Sequence, residues 1–315
     1  QREAESAFGD GTVYIERLLE NSRHIEVQVL SDNFGNTVHL FERECSIQRR
    51  HQKVVEEAPS PVLNEETRSA MGKAAVSAAQ EVSYSGAGTV EFLLSSDGSF
   101  YFLEMNTRLQ VEHPVTECIS GVDLVEQQIR VASGLPLPFS QNDLSIRGHA
   151  IEVRIYAEDP SRGFLPATGP LVVFVPPEGP GIRLDTGVRQ GDEARIDFDP
   201  MLAKLIVYGS NRNQAIRRME RALRTFVILG AITNIDFLID IMRHKSFISG
   251  DTTTNFIDNH FSDGWVPKQT TSSEVLLAAG AERLGLDKNI LSSTSDDIGR
   301  TSKNDPFLNL SRVFP

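Results

Sequence analysis

Residues 88–112 read Gly-Thr-Val-Glu-Phe-Leu-Leu-Ser-Ser-Asp-Gly-Ser-Phe-Tyr-Phe-Leu-Glu-Met-Asn-Thr-Arg-Leu-Gln-Val-Glu, and this stretch decides the fold. Two β-favouring runs flank Asp97-Gly98, the strongest short-range signal for a hairpin. A two-residue turn there sets Glu91 directly opposite Glu104. Carboxylates facing one another at roughly 5 Å repel, and an intervening cation relieves the repulsion. If the chain continues extended, Glu104, Asn106, Arg108, Gln110 and Glu112 share one face, and Met105, Thr107, Leu109 and Val111 the other. Leu93, Phe100 and Phe102 then fall on the side of the Glu pair. A hairpin edge with its Glu residues in solvent would carry no such apolar floor, whereas a pocket for a flat ring with phosphates at one end would. The reading is a magnesium–nucleotide site that continues through Arg108, Gln110 and Glu112 towards a second, anionic substrate. Two carboxylates with an amide oxygen suit Mg²⁺, and no His/Cys set at zinc spacing lies nearby.

With 315 residues, the chain has room for two ordinary domains. Its hydrophobic share of 40% and charged share of 23% are those of a soluble globular protein. A net charge of −12 tells against nucleic acid as a partner. No apolar run approaches the ~20 residues that cross a bilayer, so no membrane partner is expected either. Cys45 and Cys118 have no paired spacing, which favours a reducing compartment: the cytoplasm, with the mitochondrial matrix as the other choice. The first residue is Gln rather than Met, so a segment of a longer protein is expected.

Strands and helices alternate elsewhere in an α+β manner. A short helix over 2–8 precedes a strand over Thr12–Leu19. Ile25, Val27 and Val29 alternate with His24, Glu26 and Gln28, and a turn at 32–36 returns into 37–44 as a second hairpin. The cluster Arg49-Arg50-His51-Gln52-Lys53 precedes Pro59-Ser60-Pro61, which pins its cations where fixed charge can neutralise phosphate. Asn64 caps a helix reaching about Val82, with Met71, Ala75 and Ala78 inward, and Asp123–Ser133 is another. The strand over 148–157 puts Glu152, Arg154 and Tyr156 on one face. Short strands at 171–175, 181–185 and 194–198 precede a strand ending at Tyr208. Helices follow at Asn211–Thr225, with Ala215, Met219, Ala222 and Phe226 inward, and at Asn234–Lys245. Residues 273–284 have helical composition, and 291–304 read as linker.

The strings Arg49-Arg-His-Gln-Lys53-Val-Val-Glu-Glu-Ala-Pro59 and Glu104-Met-Asn-Thr-Arg-Leu-Gln-Val-Glu-His-Pro-Val-Thr116 resemble the biotin carboxylase family, a branch of the ATP-grasp enzymes. The resemblance covers roughly residues 1–261. It implies the C-terminal half of an ATP-grasp domain over 1–140, an antiparallel sheet with helices that bears the metal, nucleotide and bicarbonate sites. The family's C-terminal α/β domain would follow over 141–261, then a helix and linker towards a further domain over 262–315. The implied reaction makes carboxyphosphate from ATP and bicarbonate and passes the carboxyl to the ureido nitrogen of biotin.

By this resemblance Glu91, Glu104 and Asn106 hold Mg²⁺, for which Mn²⁺ can substitute. His24, Gln48, His51 and Leu93 line the nucleotide pocket, with Glu16 near the adenine. Lys53, Arg108, Gln110 and Val111 position bicarbonate, Glu112 takes its proton, and Arg154 stabilises the biotin enolate. Arg108 and Lys53 beside Glu112 would favour the carboxylate form a base needs, and the planar fork of Arg154 suits an oxyanion.

The family's glycine-rich lid and its ATP-binding lysines have no match here, so the isolated chain is expected to bind ATP weakly and turn over slowly or not at all. Asp305-Pro-Phe-Leu-Asn-Leu310 resembles the segment that follows the carboxylase domain in biotin-containing subunits of acyl-CoA carboxylases. The implied partners are a carboxyltransferase subunit, a biotin carrier domain and, at full length, a second copy of the chain. Two other readings stand beside this one: a different ATP-grasp ligase working through an acyl phosphate, and a non-catalytic assembly module.

Overall fold

The alternating runs at 23–31 and 37–49 form strands β1 (Arg23–Ser31) and β2 (Thr37–Arg49) in the computed structural model, which describes residues 1–50, 52–195 and 199–267. Asp32 shapes the turn between them by accepting the backbone N–H groups of Phe34 and Asn36. β3 (Gln52–Ala58), β4 (Gly86–Leu94), β5 (Phe100–Asn106) and β6 (His149–Tyr156) join them. With strands Ile182–Thr186 and Met201–Gly209 they make one eight-stranded sheet. From the Ile182 edge the order is Ile182–Thr186, Met201–Gly209, β6, β3, β2, β1, β4, β5. Every neighbouring pair is antiparallel. β3 pairs with β6, Val55 opposite Val153, so the ladder runs on past residue 140.

Helices pack on this sheet through the stripes their sequences carry. α1 (Arg2–Phe8) ends at Gly9, which adopts the left-handed conformation. In α2 (Glu65–Glu81) the Asn64 side chain accepts from Thr67 N at 2.8 Å, and Met71, Ala75 and Ala79 are buried against Ile25, Val27, Val90 and Phe92. Ala79 completes that stripe rather than Ala78, because a four-residue step keeps to one face. α3 (His113–Ser120) and α4 (Leu124–Ala132) follow the central hairpin. Ala215, Met219 and Ala222 of α5 (Arg212–Thr225), with Phe237 and Ile241 of α6 (Ile235–Arg243), close over Val153, Ile155, Leu205 and Val207. Phe226, expected inward, is buried in the same cluster.

One expected strand is absent. Residues Thr12–Leu19 have no ladder partner, and Tyr14, Ile15 and Leu18 are more than 80% exposed. A β-favouring run without a neighbour leaves its backbone groups to water and gains nothing from extension. Residues Glu193–Ala194 pair with Gly169–Pro170, while 196–198 lie outside the described residues. The expected helix at 273–284, the linker at 291–304 and the segment at 305–310 also lie outside them. Both thiols are free. Among the described residues no helix is long and apolar enough to cross a membrane.

Buried Glu44 makes stability depend on pH. It accepts the hydroxyls of Ser46 and Ser60, with Arg23 3.8 Å away, yet burial outweighs them and pushes its pKa from 4.5 up to about 7. The folded value lies above the unfolded one. Its contribution is therefore complete below pH 4.5 and lost as pH rises through about 7. Glu44→Gln, which imitates the protonated acid, is expected to flatten that loss. Calorimetry should show the variant's Tm dropping less than the parent's between about pH 5 and pH 8. Identical slopes would place the pH dependence elsewhere.

Candidate active site

β4 and β5 place Glu91 opposite Glu104 and Thr89 opposite Asn106. The register arises by a different route from a two-residue turn. The strands end at the pair Leu94–Phe100, so Ser95–Ser99 forms the loop, and Leu103 is an extra residue on β5 between the pairs Phe92–Phe102 and Glu91–Glu104. This bulge restores the expected register and reverses which side chains share a face. Phe100 and Phe102 therefore meet Phe92 edge-on, with centroids at 5.5 and 6.4 Å, away from Glu91. Leu93 lines the site as expected, and Leu103 stands there in place of the two phenylalanines. A second correction follows β5, which stops at Asn106. Residues 107–112 are a loop that brings Gln110, Val111 and Glu112 back to the cavity without strand alternation.

That cavity measures about 930 Å³. His24, Gln48, Lys53 and Leu93 line one part, and Glu91, Glu104, Asn106 and Arg108 another. Gln110, Val111, Glu112 and Arg154 complete the expected set. Glu16 stands apart: it is exposed, and its neighbours Leu18, Leu19 and Glu20 line the cavity instead. His51 lies outside the described residues.

Glu91 and Glu104 turn to the same side. Asn106 Nδ2 lies 3.1 Å from an oxygen of each, bridging the two carboxylates. A half-turn of that amide, with the exposed Arg108 guanidinium released from Oδ1 to water, presents Oδ1 instead, and the trio becomes an all-oxygen set of the kind Mg²⁺ takes. Two other clusters of metal-capable atoms occur among the described residues, His24–Glu26–Glu91 and Glu26–Cys45–Glu112. In both, the negative charge is already met by Lys53, which bonds Glu26, Glu91 and Glu112, and by Arg43 on Glu26. Burial also pushes the Cys45 thiol up, away from the thiolate that binds metal. The Glu91–Glu104–Asn106 face therefore fits a divalent ion best.

Charge organises the floor of the cavity. Burial alone would raise Glu26, but Lys53 and Arg43 hold its carboxyl well below the usual range. Burial likewise opposes the ammonium of Lys53, and the carboxylates around it win, raising its pKa. His24 Nε2 lies 3.1 Å from Glu91 Oε2, too poorly aligned for a hydrogen bond. Burial would lower its pKa, but the Glu26 and Glu91 carboxylates lift it to about 9, so the ring is cationic at neutral pH.

Glu112 sits between two cations, Lys53 Nζ at 2.6 Å and Arg154 Nη2 at 3.1 Å. Arg154, not the expected Arg108, is the second of them. Arg108 bonds the Leu109 carbonyl and Asn106 Oδ1, because the loop turns it away from Glu112. Arg154 Nε also bonds Glu56 at 2.7 Å, and Lys204 Nζ holds the Val111 carbonyl. Glu26, Arg43, Glu56 and Lys204 had no functional reading from sequence. Only Glu26 carried a signal, on a polar face of β1 that the sheet buries between β2 and β4.

The family described as Carbamoyl-phosphate synthase L chain, ATP binding domain matches residues 1–140, and Biotin carboxylase C-terminal domain matches 152–259. The alpha subunit of rat mitochondrial methylcrotonoyl-CoA carboxylase is 50% identical over 280 residues, covering 89% of this chain and 39% of that protein. The pig mitochondrial propionyl-CoA carboxylase alpha chain is 54% identical, covering 87% and 38%. A pyruvate carboxylase subunit of Methanothermobacter thermautotrophicus is 56% identical, covering 82% and 53%. The chain thus spans between 38% and 53% of the length of these relatives. Among solved structures, the biotin carboxylase domain dimer of Hydrogenobacter thermophilus 2-oxoglutarate carboxylase, in complex with MgADP, ADP and bicarbonate, superposes with a TM-score of 0.80 at 48% identity. That match covers 82% of this chain and 57% of the other. Paired family matches, close relatives and a shared fold lead to one assignment: the chain belongs to the biotin carboxylase family of ATP-grasp proteins.

Proposed function

We propose that this chain supplies the metal, bicarbonate and biotin side of an ATP-dependent biotin carboxylase within an acyl-CoA carboxylase. One observation carries the reading. Glu112 is held between Lys53 of β3 and Arg154 of β6, and Lys53 is bonded in turn to Glu91 of the candidate metal set. Bicarbonate lies on Lys53, Arg108, Gln110 and Val111, where Glu112 takes its proton and leaves an oxygen free to attack the terminal phosphate of ATP, expelling ADP and giving carboxyphosphate. Glu91, Glu104 and Asn106 would hold Mg²⁺ (or Mn²⁺), which would supply neutralisation of the phosphate charge. His24, Gln48, His51 and Leu93 flank the nucleotide, with Glu16 towards the adenine. Carboxyphosphate then gives its carboxyl to the ureido nitrogen of a carrier-bound biotin whose enolate faces Arg154, and the phosphate leaves with the proton that nitrogen loses.

The MgADP and bicarbonate held by the solved Hydrogenobacter relative support the ligand set, and its dimeric state supports a second copy as partner. The names of the rat and pig relatives, alpha subunits of acyl-CoA carboxylases, support an acyl-CoA acceptor and a further subunit, for which the reading takes a carboxyltransferase, with a biotin carrier domain beside it. We keep the division at 1–140, 141–261 and 262–315. The free thiols favour a reducing compartment, either the cytoplasm or the mitochondrial matrix, and the names of those relatives say mitochondrial.

The test is made in the complete protein. Glu104 is exposed, so Glu104→Gln should leave the fold intact. The Mg²⁺ concentration giving half-maximal bicarbonate-dependent ATP cleavage should rise at least about tenfold. An unchanged Mg²⁺ requirement overturns the metal assignment. ATP cleavage by the parent that ignores bicarbonate overturns the whole reading.

A further inference from the structure

We infer that Arg43 is a positioning residue for the anion site, fixing which end of the Gln110 amide faces bicarbonate. The inference deepens the proposed function and rests on it. Arg43 lies in the middle of β2 and is 0% exposed. A guanidinium has five N–H donors and no acceptor. Here each donor has its own acceptor. Nε reaches Glu26 Oε1 at 2.5 Å, and Nη1 reaches Gln28 Oε1 at 2.7 Å and Thr116 Oγ1 at 2.8 Å. Nη2 reaches Thr89 Oγ1 at 3.2 Å and Gln110 Oε1 at 2.8 Å.

A group that can only donate dictates the polarity of whatever it touches. The Gln110 atom against Arg43 must be oxygen, so the amide nitrogen points the other way. One of its hydrogens goes to Glu91 Oε1 at 2.8 Å. The second is left for a ligand in the cavity that Gln110 lines. Turning the amide over would set N–H against N–H where water cannot compensate, and buried unsatisfied donors are costly. Gln110 therefore presents a donor, the polarity an anion oxygen needs. The same guanidinium fixes Glu26, which holds Lys53, so one cavity cation and one cavity donor depend on a single buried charge. Lysine could not replace it, since a point charge lacks the planar fork that meets partners on β1, β4, α3 and the 107–112 loop together.

A double-mutant cycle on bicarbonate-dependent ATP cleavage by the complete protein tests this. Arg43→Lys keeps a cation beside Glu26. It should raise the KM for bicarbonate by about tenfold or more and leave the KM for ATP within about twofold. In a Gln110→Ala background the same change should raise the bicarbonate KM no further. An equal penalty with and without Gln110 overturns the inference. If Arg43→Lys does not fold, Gln110→Glu decides the matter. It keeps an acceptor for Arg43 but faces the anion with oxygen, so its bicarbonate KM must exceed that of Gln110→Ala, and a KM at or below that of Gln110→Ala overturns the inference. A parent without bicarbonate dependence defeats the proposed function and this inference together, whereas additivity in a bicarbonate-dependent parent defeats the inference alone.

Discussion

In the complete protein, replacing Glu112 by Gln is expected to lower the proposed bicarbonate-dependent ATP cleavage by about two to four orders of magnitude, the range that general-base catalysis supplies. Gln has the same shape and cannot take a proton from bicarbonate. The surroundings isolate that loss from a folding defect. Lys53 keeps Glu26 and Glu91 as partners, and Arg154 keeps Glu56, so removing one negative charge strands neither cation. Tm should therefore stay within a few degrees of the parent's while kcat at saturating bicarbonate collapses. Single-turnover ATP cleavage with and without bicarbonate makes the measurement. A variant that keeps its rate within about tenfold removes Glu112 from the role of base.

The facing of Glu91 and Glu104 was legible because the Asp97-Gly98 turn signal sets the same net pairing that the observed loop and bulge reach together. The route was not legible. A longer loop followed by one extra residue gives the same pairing as a tight turn, and only the bulge at Leu103 reveals that Phe100 and Phe102 face away. Sequence neighbours misled in the same way at Arg108. Four residues from Glu112, it shares a face only if the chain stays extended, and the loop after Asn106 hands that place to Arg154. Thr12–Leu19 shows that β-propensity without a partner makes no strand. Arg43 was invisible because its acceptors come from β1, β4, α3 and the 107–112 loop, and a lone Arg in an alternating strand reads as a surface charge. By contrast, the N-cap at Asn64 acts within its own turn, and the sequence showed it.

Arg154 is expected to separate two activities that Glu112 joins. Its fork spans Glu56 through Nε and Glu112 through Nη2, and it lines the cavity from β6. In the proposed reaction the Glu112 contact serves proton removal from bicarbonate, whereas the charge facing the cavity serves the biotin enolate. Arg154→Lys keeps a cation near Glu112 and loses the planar donors. It should lower carboxybiotin formation by about two to three orders of magnitude, the cost of one well-aimed oxyanion donor. Bicarbonate-dependent ATP cleavage measured without biotin should fall by less than about tenfold, within what one altered hydrogen bond costs. The buried partner tolerates the change. Burial already lifts the Glu56 pKa to about 7 against the pull of Arg154, so a weaker cation is answered by protonation rather than by a stranded charge. The ratio of the two rates is the decisive quantity. If both fall by the same factor, Arg154 acts only by holding Glu112. A ligase that joins a carboxylate to an amine, with no enolate to stabilise, would then explain the cavity as well as a biotin carboxylase does.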